Sequence, residues 1–168
     1  MNSEFILRPI GVIRTPFPSA ADTPIQPSRA IDARGEVLVD EECREGLRDL
    51  EGFERVWLVY WFHQSGAPAL LVTPFLDTQQ HGVFATRAPA RPSAIGISAV
   101  RLLAVRDGVL YVSGVDMLDG TPLLDVKPYV PEFDSYPDAR AGWFDETRSQ
   151  RTLGDDRFGK PAAPRSER

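Results

Sequence analysis

Four short polar clusters interrupt the apolar segments of this chain: PIQPSRA at 24–30, FHQS at 62–65, FATRAPARPSAIGIS at 84–98 and LLDVKPY at 123–129. Together they carry an imidazole (His63), a carboxylate (Asp125), an ammonium (Lys127), guanidinium groups (Arg87, Arg91) and a phenol (Tyr129). Proton-transfer and anion-binding sites are assembled from such groups. Each also has an ordinary structural reading. A histidine ending an apolar strand, as His63 does, is commonly a hydrogen-bonded structural group. Arg87 and Arg91 in a proline-rich loop read as solvated charges, and Asp125 and Lys127 alternate along a strand as a cross-strand ion pair would. The motifs of several other chemistries are missing. No GxGxxG leads from a strand into a helix and no GxxxxGK[ST] occurs, so neither a Rossmann turn nor a P-loop is offered. There is no GxSxG elbow. Two histidines and the single Cys43 supply neither a metal cage nor an internal disulfide.

The bulk properties narrow the classes further. At 168 residues and 42% hydrophobic content the chain fits one compact domain, since one core normally serves about 100 to 200 residues. A net charge of -5 argues against the broad basic surface that coats nucleic-acid phosphates, so DNA is not an expected partner. A local basic patch is still available. Nearly all of the 19 basic residues are arginines, whose rigid fork suits phosphate, carboxylate and base stacking. The longest apolar run, Val56 to Phe62, is strand-length and far short of the roughly 20 residues that span a bilayer. The start of the chain lacks the organisation of a secretory signal. The expectation is a cytoplasmic protein without a membrane segment.

The clusters must be held by strands. Fifteen prolines and 13 glycines spread between short apolar runs predict many turns and few long helices, hence a mainly β fold. Strands are expected over Phe5–Ile13, Gly35–Val39, Arg55–His63, Ile97–Val105, Val109–Val115 and Thr121–Val126. The third of these is bulky and apolar on both faces, as a central strand would be. Proline-broken TPFPSAADTPIQPSRA reads as an ordered loop. Cys43, Leu47 and Leu50, three and four residues apart, predict a short amphipathic helix over Glu41–Leu50 ended by Gly52. Asp107-Gly108 between two strand-like runs is the signature of a type I′ hairpin. Asp119-Gly120 then suggests a three-strand meander, and successive antiparallel strands favour a barrel. Trp57, Tyr60, Trp61 and Phe62 read as core and interface packing. Beyond Tyr136 the apolar pattern decays. Residues 1–136 are therefore taken as the domain and 137–168 as a C-terminal extension in which Trp143 and Phe144 dock, the arginine-bearing part reads as a solvated tail with tracking of an RNA backbone by Arg148, Arg151 and Arg157 as the lesser alternative, and the last ten or so residues fray.

PIQPSRA, GLRDLEGFERVWLVYWFH, GVFATRAPARPSAIGISAVRLL and LDGTPLLDVKPYVPEFD, in that order, resemble the TsaA/TrmO-like family of S-adenosylmethionine-dependent methyltransferases. FATR and DVKPY are the most specific pieces, and the likeness runs from residue 5 to about 136. The resemblance implies a small non-Rossmann β-barrel, a homodimer with its cofactor site near the subunit interface, and methylation of N6 of threonylcarbamoyladenosine beside the tRNA anticodon. It carries the cofactor contacts onto Pro24, Ile25, Gln26, His63, Gln64, Arg87, Ile97, Asp125, Val126, Lys127 and Pro128. Where the family usually reads RPNPIG, this chain has Arg91-Pro92-Ser93-Ala94-Ile95-Gly96.

S-adenosylmethionine presents a carboxylate, an ammonium, a ribose diol, an adenine edge and a sulfonium, which together require several convergent polar groups. Alignment of donor and acceptor accounts for roughly 7 to 11 kcal/mol of such a barrier. The acceptor nitrogen also has to lose a proton. Among the matched residues Asp125 and His63 are the candidate bases, with Tyr129 orienting by its hydroxyl; no metal is implied. Two other readings keep the pocket: a methyltransferase acting on a small-molecule nitrogen, and a non-catalytic S-adenosylmethionine-binding regulator.

Overall fold

The computed structural model describes residues 6–30, 32–146 and 153–159. Six antiparallel strands close into a barrel: β1 (Gly11–Arg14), β2 (Arg34–Val39), β3 (Arg55–Trp61), β6 (Ile95–Arg106), β7 (Val109–Ser113) and β8 (Thr121–Pro128). Around the barrel they run β1-β2-β7-β6-β3-β8 and back to β1. A two-stranded ribbon, β4 (Leu71–Val72) with β5 (His81–Gly82), stands beside it. The expected mainly β barrel with short helices is what the chain forms.

The period-2 alternation of the strands fills the interior. Val56, Leu58 and Tyr60 of β3 point inward and meet Ile13, Val37, Val100, Leu110, Val112 and Leu123 in a single core. The outward residues of β3 are not a second core face: Trp61 is 47% exposed, and its cross-strand neighbour Ile95 is 39% exposed. On β8 a bulge at Leu124 falls between the pairs Val59↔Asp125 and Tyr60↔Leu123. One extra residue there lets both Leu123 and Val126 face the core, three positions apart, and leaves Asp125 outside.

The Asp107-Gly108 turn joins β6 to β7 with φ of 51° and 81°, both positive as a type I′ turn requires. Three expectations need correction. β1 begins at Gly11, and residues 6–10 form no strand; Phe5 lies outside the described residues. Over Glu41–Leu47 and Leu50–Gly52 the backbone makes two 3₁₀ segments rather than one α-helix, and the run is broken between them where Asp49 takes a left-handed conformation at φ 67°. Cys43 and Leu47 still pack on the core and Leu50 is buried. The three-strand meander also does not form, since β8 pairs with β1 and β3 and not with β7. The connector Gly114–Gly120 is too long for a tight hairpin. It crosses the end of the barrel, where Asp119 and Gly120 donate backbone N–H bonds to Phe17 and Ile13.

Candidate active site

A cavity of about 760 Å³ opens at the end of the barrel that the connector crosses, within the range usual for small-molecule and cofactor sites. Its walls come from segments far apart in sequence: the 20–28 loop, the exit of β3, the 84–91 loop, the start of β6, the connector, and the segment after residue 140.

The first three polar clusters converge there. Pro24, Ile25, Gln26, His63, Gln64, Arg87 and Ile97 all line the cavity. Arg87 Nη1 donates to Gln26 Oε1 at 3.0 Å, joining two clusters 61 residues apart, and the Gln64 amide lies 3.3 Å from the His63 ring. Arg91 is not a solvated charge. Its guanidinium donates to the Thr86 and Ala88 carbonyls at 3.0 and 3.3 Å and so fixes the curve of the loop that presents Arg87.

The fourth cluster lies elsewhere. Asp125, Val126, Lys127, Pro128 and Tyr129 are not among the residues lining this chain's cavity. Asp125 Oδ2 and Lys127 Nζ pair at 2.8 Å along one strand rather than across two, and Tyr129 packs its ring on Trp57 at 5.5 Å. Asp125 is registered against Val59, which in turn is registered against Ile97 on β6. The cluster thus occupies the outer barrel face whose β6 row reaches the cavity at Ile97.

Sequence reasoning missed a buried network in the cavity wall. The Ser98 hydroxyl, 1% exposed as a residue, donates to Asp116 Oδ1 at 2.5 Å and lies 3.0 Å from the Tyr60 hydroxyl. Burial pushes the Asp116 carboxyl up to about 7, against the lowering effects of the Ser98 hydrogen bond and the Arg87 charge. Burial likewise raises Tyr60 well above its usual value, and the neighbouring Asp116 adds to that rise. The available signal was the pattern Val115-Asp116-Met117, a lone acid between two apolar residues just past the expected strand Val109–Val115.

The segment after residue 140 closes the remaining side. Trp143 stacks on His81 at 4.6 Å and donates its indole N–H to the Ala85 carbonyl at 2.8 Å, and Phe144 lies edge-on to it. His81 is steadied by Asp77 Oδ2 at 2.9 Å, and that hydrogen bond is the main reason Asp77 titrates below its usual range. Farther on, Gly154 N–H bonds Thr23 O and Gly66 N–H bonds Phe158 O, each at 2.8 Å. This strap ties together the loops that carry Pro24 and His63. Arg157 serves the strap: it pairs with Asp155 at 2.8 Å and lies over the Phe75 ring. Arg148, Arg151 and most of the last ten residues lie outside the described residues.

The cavity suits a nucleoside bearing an amino-acid tail. Phe62, Phe84, Trp143 and Leu118 offer apolar faces, Arg87 a cation for a carboxylate, and Asp116, Gln26 and Gln64 polar atoms. A family model described as the tRNA-methyltransferase O N-terminal domain matches residues 12–135. The chain belongs to this family. A probable S-adenosyl-L-methionine-binding protein of Pyrococcus abyssi is 50% identical over 90% of this chain and 83% of its own length. A tRNA (adenine(37)-N6)-methyltransferase of Mus musculus is 39% identical over 77% of this chain and 32% of its own. A crystal structure of TrmO from Pseudomonas aeruginosa superposes with a TM-score of 0.73 at 43% identity, covering 86% of this chain and 63% of that one. This chain therefore spans less than two thirds of the mouse protein and of that TrmO structure.

Proposed function

We infer that this chain is an S-adenosylmethionine-dependent methyltransferase that acts on N6 of an adenine in tRNA, and that its acceptor is threonylcarbamoyladenosine beside the anticodon. The observation that carries this reading is the meeting of Gln26, His63, Gln64, Arg87 and Ile97 in one cavity inside the region matched by the family model. When bound, S-adenosylmethionine supplies an electrophilic methyl on sulfur. The chain's residues divide the remaining work. Arg87, held by Gln26, receives a carboxylate as a bidentate partner; Pro24 and Ile25, with Ile97 and the aromatic wall, exclude water from the apolar part; His63 and Gln64 supply hydrogen bonds at the exit of β3.

Asp125, Val126, Lys127 and Pro128, with Tyr129, enter this reading through a second copy. Val59, Trp61, Ile95 and Ile97 make an exposed or half-exposed apolar row beside Asp125. A two-fold dimer on that row would bring the partner's LLDVKPY segment to the cavity mouth, where the Asp125 carboxylate, already engaged by Lys127, holds cofactor rather than taking a proton. Sedimentation equilibrium is expected to return twice the chain mass, and a monomer at micromolar concentration would remove this route. A cytoplasmic location belongs to the same reading; no helix among the described residues is long and apolar enough to cross a membrane.

The decisive assay is transfer of labelled methyl from S-adenosylmethionine to tRNA with and without threonylcarbamoyladenosine. Label in the modified tRNA alone is expected. A chain that binds the cofactor and labels neither tRNA nor a metabolite pool is a binding protein, the description carried by the Pyrococcus relative.

A further inference from the structure

We propose that Asp116 accepts the proton of the acceptor nitrogen during methyl transfer. The proposal rests on the methyltransferase reading and moves the role of base from His63 and Asp125, the candidates by residue type, to Asp116. Asp116 lines the cavity at the start of the turn that carries the chain across the barrel end. Its Oδ1 is anchored by the Ser98 hydroxyl at 2.5 Å, and Ser98 is itself fixed by the Tyr60 hydroxyl at 3.0 Å. The hydroxyls arrive from β6 and β3, two paired strands of the closed barrel, so the carboxylate is aimed by rigid elements. This is the pre-organisation that proton transfer requires.

The step balances without a further reactant. The nitrogen lone pair forms the new N–CH₃ bond as the methyl–sulfur bond breaks toward sulfur. The N–H proton passes to the Asp116 carboxylate, so the positive charge lost at sulfur and the negative charge lost at Asp116 cancel. Solvent takes the proton once the product has left. An N6 that carries a carbamoyl group is a weak nucleophile and a comparatively acidic N–H, the case in which a positioned base helps most. The groups facing Asp116 are Tyr60 from β3, Ser98 from β6 and Arg87 from the 84–91 loop, with His63, Arg91 and Asp155 elsewhere in the wall. The buried carboxyl titrates at about 7, so it is ready to take a proton near neutral pH.

The test uses full-length wild type, Asp116→Asn and Ser98→Ala, with calorimetric S-adenosylmethionine binding, single-turnover methyl transfer to threonylcarbamoyladenosine-containing tRNA across pH, and difference infrared spectroscopy of the carboxyl band. Asp116→Asn is expected to bind cofactor within a few-fold of wild type, to lose about 10²- to 10⁴-fold in transfer rate, and to lack a carboxyl band that wild type converts to carboxylate near neutral pH. Ser98→Ala keeps the carboxylate but removes the hydroxyl that favours its ionised form. The acidic limb of its rate profile is expected at higher pH, and the alkaline plateau is expected to drop but to stay above the Asp116→Asn rate, because the carboxylate is still present but no longer aimed by the hydroxyl. An Asp116→Asn rate within a few-fold of wild type, an unmoved limb in Ser98→Ala, or a wild-type carboxyl fully ionised by pH 5 overturns the proposal while leaving the methyltransferase reading intact. A wild type that binds cofactor and transfers nothing defeats that reading, and the proposal falls with it.

Discussion

At pH 8 the Asp116→Asn chain is expected to melt above wild type by about 4 kcal/mol, on the order of 10 °C, with the difference shrinking as the pH is lowered toward 4. Burial raises the carboxyl from its ordinary 3.8 to about 7, so over this interval the folded chain keeps a proton that the unfolded chain has lost. Wild-type stability therefore falls as the pH rises through the interval. Above about 7 both states are ionised and the whole cost of the buried charge is present; below 3.8 both are protonated and it disappears. At about 1.4 kcal/mol per pH unit the interval amounts to about 4 kcal/mol. Asparagine keeps an oxygen for Ser98 and never acquires the charge. Calorimetric melts at several pH values check this, and a difference independent of pH would show that Asp116 is not held in its raised state. The comparison also separates function from folding, because the variant expected to lose activity is the more stable one.

Gly96→Ala is expected to damage both fold and site. A methyl group at residue 96 would lie 2.3 and 2.5 Å from Tyr60 Cε2 and Cζ and 2.9 Å from Phe62 Cζ, closer than carbon atoms tolerate. Tyr60 is only 3% exposed and packs edge-on against Phe62 at 5.3 Å, so its ring has nowhere to retreat but toward the cavity. Overpacking of this kind costs about 1 to 3 kcal/mol. Moving the phenol also breaks its hydrogen bond to Ser98, the hydroxyl that anchors Asp116. We expect a lower melting temperature together with at least a tenfold loss of S-adenosylmethionine affinity, measured by calorimetry below the melt. A variant with unchanged affinity would show that the ring moves without disturbing the wall.

The barrel was legible where local chemistry decides structure. Alternating β-branched and aromatic residues marked the strands, and Asp107-Gly108 marked its hairpin because few other pairs tolerate two positive φ values in succession. What local patterns do not encode is where a strand goes after its turn. Asp119-Gly120 predicts a reversal, but the backbone of the connector bonds to Phe17 and Ile13, a hundred residues away, and that decides which strands β8 joins. The site divides along the same line. His63, Gln26 and Arg87 belong to compact motifs whose residue types already suggested chemistry. Asp116 acquires its character from Ser98 and Tyr60, residues distant in sequence, and Trp143 from its stack on His81. The extension past residue 136, where the apolar pattern faded, supplies a wall of the cavity because a few aromatic and glycine contacts suffice to hold a strap that needs no core of its own.

The pairing of β1 with β8 has a consequence for the order in which the molecule is made. Gly11 is registered against Leu123, so as the chain leaves the ribosome N-terminus first the opening strand has one unsatisfied edge until nearly three quarters of the sequence has emerged. Such distant pairings are slow to find, and an uncovered edge invites association with other chains meanwhile. The connector bearing Asp116 is seated by the same event that closes the ring. A nascent chain stalled before residue 121 would thus hold strands but no site, and the capacity to bind a ligand would arrive late and all at once.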